Sequence, residues 1–413
     1  MFMAATATQA ALSNGARTIP AQLALSSEAG TLKRSVMREL LKLTARPDVI
    51  SLAGGLPASE LLPLAQLQEC IETVLRRDGT RALQYSPMIE SLRRWICDTM
   101  RARGIACEPE QVHITNGAQQ GLTILSRLFL NPDQPAVVEA ITFTGIQQVT
   151  AGRGAVMRTV PTDLATGVDV DALEEAFHRT PRPRLAVVIP DFHNPLGVSL
   201  TLEKRQRIAE LAARYRVPLV EDDPYSALRF DGQSLPPIKA FDEAGAVFYI
   251  GSFSKMLAPS LRLGWIVAPA ELASQVTVLR ESIDLESSTL IQRAVSLFVE
   301  QGLMAGHLAR FNAANRCRRD VLFDALAHYL GDRASWTRPE GGLFVWLTLR
   351  EEIDTWALLE DAIAAGVAFV PGAAFALNGG SHNTLRLNFS NVQPELIPVA
   401  VERLAQVIKQ KGK

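Results

Sequence analysis

Cysteine, aromatic residues and any excess of one charge are all scarce in this chain. Four cysteines in 413 residues (Cys70, Cys97, Cys107 and Cys317) form no C-x-x-C pair, and their spacing suits neither a zinc site nor a disulfide framework. Free thiols in a reducing, cytoplasmic setting are the expectation. The six histidines are scattered and make no H-E-x-x-H, so no metal site is expected. Forty-two Lys and Arg balance 43 Asp and Glu, for a net charge of -1 and no long basic run. A nucleic-acid partner is therefore not expected. No stretch approaches 18 consecutive apolar residues, so no membrane-spanning helix is expected. The first thirty residues are rich in Ala, Ser and Thr with a single Arg17. They lack the basic and apolar regions of a signal peptide and the arginines of a transit peptide, and read as a flexible arm over 1–30.

What is present is a large apolar fraction, 47%, against 21% charged residues, enough to bury a sizeable core. Leu32, Val36, Leu40 and Leu43 share one face of a helix expected over 32–43. A glycine-bearing loop, Ser51-Leu52-Ala53-Gly54-Gly55-Leu56-Pro57, follows. From about residue 110, apolar runs alternate with helical stretches. Strands are expected at 112–115, 136–139, 185–190, 217–220, 247–251 and 263–268, and helices at 117–130 and 201–216. This alternation implies an α/β fold whose mostly parallel sheet is covered on both faces. The connection before 263–268 is too short for a helical crossover, so that strand is expected to be antiparallel. A long helical stretch, 289–329, leads into a smaller α+β part with strands at 342–348 and 384–389 and helices at 355–365 and 394–409.

In open α/β sheets, ligands gather beyond the carboxyl ends of the strands. The residues expected there are Asn116-Gly117-Ala118-Gln119-Gln120, Asp191-Phe192-His193-Asn194-Pro195-Leu196-Gly197, Glu221-Asp222-Asp223-Pro224-Tyr225, and Ser252-Phe253-Ser254-Lys255 with Arg262 shortly after. A helix N-terminus beside hydroxyls and an arginine suits a phosphate. A lysine near a cation and partly desolvated has the depressed pKa that imine formation requires. A carboxylate on the floor of the site suits a pyridinium proton. Each piece alone is common in turns, loops and helix caps. Their joint occurrence in this order, each near a strand end, describes a site for pyridoxal 5′-phosphate.

Together with Leu83-Gln84-Tyr85-Ser86-Pro87, Val370-Pro371-Gly372 and Leu385-Arg386-Leu387, these motifs resemble the fold type I, class I/II aminotransferases, and within them the α-aminoadipate/kynurenine branch. The resemblance runs from about residue 30 to the C-terminus. It implies an N-terminal helix and loop at 31–60, a large cofactor-binding domain at 61–310 and a small domain at 311–413. By the same resemblance, Lys255 would be the lysine joined to the cofactor and the proton carrier. Asp222, three residues before Tyr225, would pair with the ring nitrogen. Asn194 and Tyr225 would hold the ring oxygen, and Phe143 would stack on the ring. Ala118, Gln119, Ser252, Ser254 and Arg262 would hold the phosphate. Arg386, with Gly54 and Asn194 near it, would receive the substrate α-carboxylate. Tyr85 would reach the phosphate of a neighbouring subunit, so a homodimer with shared sites is implied. Arg38 matches an arginine that meets the distal carboxylate in relatives using dicarboxylic substrates; an intrahelical or solvated role accounts for it equally. The chain departs from the family at Leu196, where Thr is usual, at Met88-Ile89-Glu90, and at Ser260, where Gly is common.

The implied activity moves an amino group from an L-amino acid to a 2-oxo acid, 2-oxoglutarate being the expected acceptor, in two half-reactions. The donor could be 2-aminoadipate, an aromatic or a branched-chain amino acid. A pyridoxal-phosphate lyase or decarboxylase could use the same rim. A cofactor-binding regulatory domain is a further alternative, but it needs an upstream DNA-binding module, and about thirty residues precede the matching region. His193 reads as packing, Phe375 as core or pocket lining, and the five tryptophans as core.

Overall fold

The computed structural model describes residues 24–31 and 48–411. The helix expected over 32–43, and Arg38 with it, lie outside them. In chain order the strands are β1 (Ile50–Ser51), β2 (Val112–Thr115), β3 (Pro135–Glu139), β4 (Val156–Val160), β5 (Thr162–Asp163), β6 (Gly167–Val168), β7 (Leu185–Val188), β8 (Leu219–Asp223), β9 (Val247–Ser252), β10 (Gly264–Val267), β11 (Ala334–Trp336), β12 (Phe344–Leu349), β13 (Val367–Ala368), β14 (Val370–Pro371) and β15 (Thr384–Asn388). Seven of them form the central sheet in the order β2-β10-β9-β8-β7-β3-β4. All neighbours run parallel except β10, which is antiparallel to both β2 and β9. The short link from β9 to β10 holds only the helical turn Phe253–Met256 and a 3₁₀ turn, too little chain for a parallel return.

Strands covered on both faces carry apolar side chains at every position rather than at alternate ones. Along β3, Val137 faces one core while Ala136 and Val138 face the other; along β7, Ala186 and Val188 oppose Leu185 and Val187 in the same way. Helices Val170–His178 and Leu202–Tyr215 cover the first face, and Ala118–Phe129 the second. Thr201 caps Leu202–Tyr215 by accepting the Lys204 N–H.

A second, antiparallel sheet has the order β11-β12-β15-β14. Its core includes Trp346, Leu385 and Leu387, joined by Leu322 and Leu326 from the long helix and by Ala400, Val401 and Leu404 from the last one. β1 pairs in parallel with β13 in a separate two-stranded sheet, and the Asn388 N–H of β15 donates to Leu52 O, which ties the segment after residue 48 to the four-stranded sheet. The two sheets also touch through a bridge between Ile141 and Ala376 and a Thr142 N–H donated to Phe375 O.

Several elements differ from the sequence reading, and three of the differences are instructive. β8 continues through Glu221, Asp222 and Asp223, so these acids lie on the strand rather than beyond it. β4, with mixed residues at a sheet edge, carries too weak a pattern to be read. The helical stretch expected at 289–329 is two helices, Thr289–Glu300 and Leu303–Leu330, because Gly302 adopts a φ of 72° that breaks the run. Of the tryptophans, Trp265 and Trp346 are buried, whereas Trp95, Trp336 and Trp356 are half-buried. Among the described residues no helix is long and apolar enough to cross a membrane, and no cluster suits a metal ion.

Gly264 on β10 is what lets the start of helix Ala118–Phe129 lie against the sheet: a Cβ there would sit 2.8 Å from Gly117 C and 2.9 Å from Ala118 N. Gly264→Ala is expected to destabilise the protein by about 1–3 kcal/mol through overpacking. A urea melt unchanged from wild type would contradict this.

Candidate active site

The rim begins where β2 turns into the helix. Gly117 has a φ of 78° and places Ala118 and Gln119 in the first turn, where backbone N–H groups have no intrahelical acceptor. Opposite them, Arg262 donates to Asn116 O at 2.9 Å and to Ser254 Oγ at 3.2 Å. Ser252 Oγ accepts the Ser254 N–H at 3.1 Å, which fixes the turn carrying Lys255. Gln119 donates to Gly145 O at 3.2 Å and so holds the turn that presents Phe143. These residues share a cavity of about 180 Å³, closed on its other sides by Asn194, Asp222, Tyr225 and Lys255.

Strand alternation separates the acids of β8. Asp222 faces this cavity, whereas Asp223 faces away from it, toward Arg103 and Tyr249. Asp223 accepts from Arg103 at 2.9 Å, from Tyr249 Oη at 2.9 Å and from the Ser226 N–H at 2.9 Å. Burial pushes its pKa up, but these partners, Arg103 foremost, outweigh burial and hold it below the ordinary value. Glu221 accepts two backbone N–H groups, from Ile238 and Lys239, and burial pushes it up to about 7. Asp222 has a buried Oδ1 with no partner; burial, then the neighbouring Asp223 charge, pushes its carboxyl up to about 7. Of the three acids it alone turns an unsatisfied oxygen into the cavity region.

Lys255 Nζ donates to Gly55 O at 2.7 Å. Burial, followed by the charges of Arg386 and Arg262, lowers its pKa to about 8. Asn194 stands between two groups: its Nδ2 lies 3.4 Å from Tyr225 Oη, and its Oδ1 accepts from Arg386 Nη1 at 2.8 Å. Burial raises the Tyr225 phenol, with Arg386 opposing. Arg386, on β15, is 2% exposed and donates Nη2 to Ala53 O at 2.6 Å, while its Nε has no partner. Its guanidinium lies 4.3 Å from the Phe344 ring centroid and 5.0 Å from that of Phe375. Among the described residues it forms no ion pair, and burial lowers its pKa to about 10.

Ten of the residues expected at the site therefore line one cavity. Arg386 and Gly54 stand just beyond it, Arg386 through Asn194, and Gly54 next to Gly55, whose carbonyl accepts from Lys255 Nζ. Tyr85 is elsewhere, 80% exposed on the surface of this chain. Phe344, Asn388 and Ile189 were not read from sequence as site residues. Phe344 packs edge-on against Tyr225 at 5.7 Å as well as under Arg386. An apolar strand residue carries no sequence signal of that contact; only the pairing of β12 with β15, Phe344 opposite Asn388, produces it. Leu196, where the family usually has Thr, is fully buried in the core of the second sheet. Met88 packs against the core that also holds Ile114 of β2. Phe375 is core and lies beside Arg386 at the same time.

Asp222 has a measurable consequence. The fold raises its carboxyl from an ordinary 3.8 to about 7. The folded protein thus keeps a proton that the unfolded chain releases, so the cost is absent below about pH 4 and complete above about pH 7. It amounts to at most roughly 4 kcal/mol. Stripped of any cofactor, Asp222→Asn is expected to be more stable than wild type at pH 8, with the gap closing toward pH 4. Equal urea midpoints at pH 8 would contradict this.

Comparison with known proteins gives a consistent result. The family model "Aminotransferase class I and II" matches residues 47–404. The chain is 40% identical, over 94% of each chain, to the aromatic-amino-acid aminotransferase 1 of Thermococcus litoralis. It is 37% identical to the 2-aminoadipate transaminase of Thermus thermophilus, over 94% of this chain and 96% of the relative. Among solved structures it superposes on the kynurenine aminotransferase of Pyrococcus horikoshii with a TM-score of 0.89 at 35% identity, covering 94% of this chain and 98% of that one. The chain belongs to the class I and II aminotransferases, enzymes of the fold type I, pyridoxal-phosphate-dependent transferase class.

Proposed function

We propose that this aminotransferase takes amino groups from L-amino acids with an aromatic or other large apolar side chain and passes them to 2-oxoglutarate. The observation that carries the amino-acid part of the proposal is Arg386. Among the described residues it is a buried guanidinium without a carboxylate partner, held by Asn194 and Ala53 and flanked by the rings of Phe344 and Phe375. A carboxylate arriving there gains a charge-assisted pair in a site already dehydrated. The relative named for aromatic amino acids supports the choice of side chain. The second reading, 2-aminoadipate, is favoured by the relative named for that substrate and by Arg38 in the sequence.

The residues around the cavity fit pyridoxal phosphate. The orphan Oδ1 of Asp222 suits a ring N–H, and the first turn at Ala118 and Gln119 with Ser252, Ser254 and Arg262 suits a phosphate. Phe143 would stack on the ring, and Asn194 and Tyr225 would hold its oxygen. When bound, the cofactor supplies a carbonyl carbon for the amine and a ring that accepts negative charge. Lys255, lowered to about 8, would take the Cα proton at Nζ and give it up on the cofactor side rather than back to Cα, the net shift that moving an amino group requires. Asp222 keeps a proton on the ring nitrogen. Arg386, with Gly54 beside it, orients the substrate α-carboxylate. The working unit is a homodimer in which the exposed Tyr85 reaches the phosphate of the second copy, and the four free cysteines suit a cytoplasmic setting.

Two measurements test this. Lys255→Ala is expected to lower turnover by on the order of 10²–10⁴-fold or more, as loss of a positioned base does; easily measured activity would overturn the assignment. Across a panel of amino donors, followed by the change in cofactor absorbance, phenylalanine, tyrosine and leucine are expected to react faster than 2-aminoadipate. Reaction with dicarboxylic donors alone, abolished by Arg38→Ala, would establish the second reading instead.

A further inference from the structure

Behind the cavity lies a polar pair that the proposed chemistry does not use. Glu139, the last residue of β3, is 1% exposed, and His193, which precedes Asn194, is fully buried. His193 Nε2 lies 3.1 Å from Glu139 Oε2, and the same oxygen accepts the Ile189 N–H at 3.2 Å. Glu139 Oε1 and His193 Nδ1 have no partner. Apolar side chains of similar size would fill this space without the desolvation cost of a buried carboxyl and imidazole.

The pair acts on the chain segment that carries Asn194. This segment doubles back on itself: the His193 N–H donates to Val198 O at 2.8 Å, and the Gly197 N–H donates to His193 O at 2.6 Å. Its backbone start, Ile189, and the His193 ring are both held by one carboxylate oxygen on the neighbouring strand. The next residue, Asn194, holds Arg386 at 2.8 Å. One peptide unit thus separates the anchored imidazole from the amide that aims the guanidinium. Neither Glu139 nor His193 lines the cavity.

We propose that Glu139 and His193 are a positioning pair that sets Asn194 and, through it, the orientation of Arg386 toward the substrate carboxylate. The inference rests on the function proposed above. Both substrates present an α-carboxylate to the same guanidinium, so loosening the pair weakens binding of both, while Tyr225, which the pair does not touch, would still hold the ring oxygen and keep the chemical step close to wild type.

Glu139→Leu and His193→Phe holoenzymes are expected to show KM values raised about tenfold for amino donor and oxo acid alike, with kcat within about threefold of wild type. Glu139→Gln, which keeps an acceptor oxygen, is expected to bring KM back to within about threefold. The unreactive 3-phenylpropionate, titrated by its effect on cofactor absorbance, is expected to bind about tenfold more weakly to the first two variants, a loss of about 1.4 kcal/mol. A pair with a merely structural role would lower the melting temperature and leave KM and this affinity unchanged; that result, or a fall in kcat alone, overturns the proposal. If Glu139→Leu does not fold, Glu139→Asp, which draws the carboxylate back by one methylene, carries the same expectation. If wild type turns over no donor, the functional reading fails, while the phenylpropionate titration still decides the role of the pair.

Discussion

Two groups of opposite charge, Asp222 and Arg386, are buried at one site without forming an ion pair, and the architecture is organised around keeping them so. Each leaves a polar atom without a partner. Isolated buried charges of this kind are costly, and a fold tolerates them where a bound group completes them. Lys255 feels the same field: burial and two arginine charges bring its ammonium down to about 8. The cavity thus holds an acid with an unpartnered oxygen and a lysine of lowered pKa, with a guanidinium whose Nε is unpartnered just beyond it.

That preparation depends on which elements meet. The parallel strands β8 and β9 and the turn after β2 deliver Asp222, the Ser252–Lys255 turn and the helix N-terminus to one rim. The second sheet delivers Arg386 from a different direction, and Asn194 joins the two sides. The guanidinium of Arg386 is fastened to Asn194 and to Ala53, so the β15 side of the site is hydrogen-bonded directly to a residue that lines the cavity. The bridge between Ile141 and Ala376 adds a backbone tie between the Phe143 turn and the Phe375 segment.

Neighbouring acids show how local chemistry selects a role. Asp222 and Asp223 differ in sequence position by one and in environment almost completely. Asp223 is held by Arg103, Tyr249 and Ser226 on the far side of β8, whereas Asp222 is raised first by burial and second by the Asp223 charge. The period-two alternation of a strand is the physical cause.

Much of this was legible in the amino-acid order. Buried runs without alternation marked the parallel strands, a short link marked β10 as antiparallel, and the residues after each strand marked the rim. The choice of Asp222 over Asp223 came from resemblance to the family, which places the acid three residues before the tyrosine. Less legible were β4, whose edge position leaves no apolar pattern, and the break at Gly302, which interrupts an otherwise continuous helical signal. Chain order alone thus determined the strand-and-helix succession and the types of group at its ends, since periodicity and turn chemistry are local properties. Only tertiary structure decided that Phe344 lies beneath Arg386, that Asn194 links Arg386 to Tyr225, and that Glu139 grips His193. Those contacts join residues from tens to almost two hundred positions apart, and no local pattern encodes which distant surfaces will exclude water together.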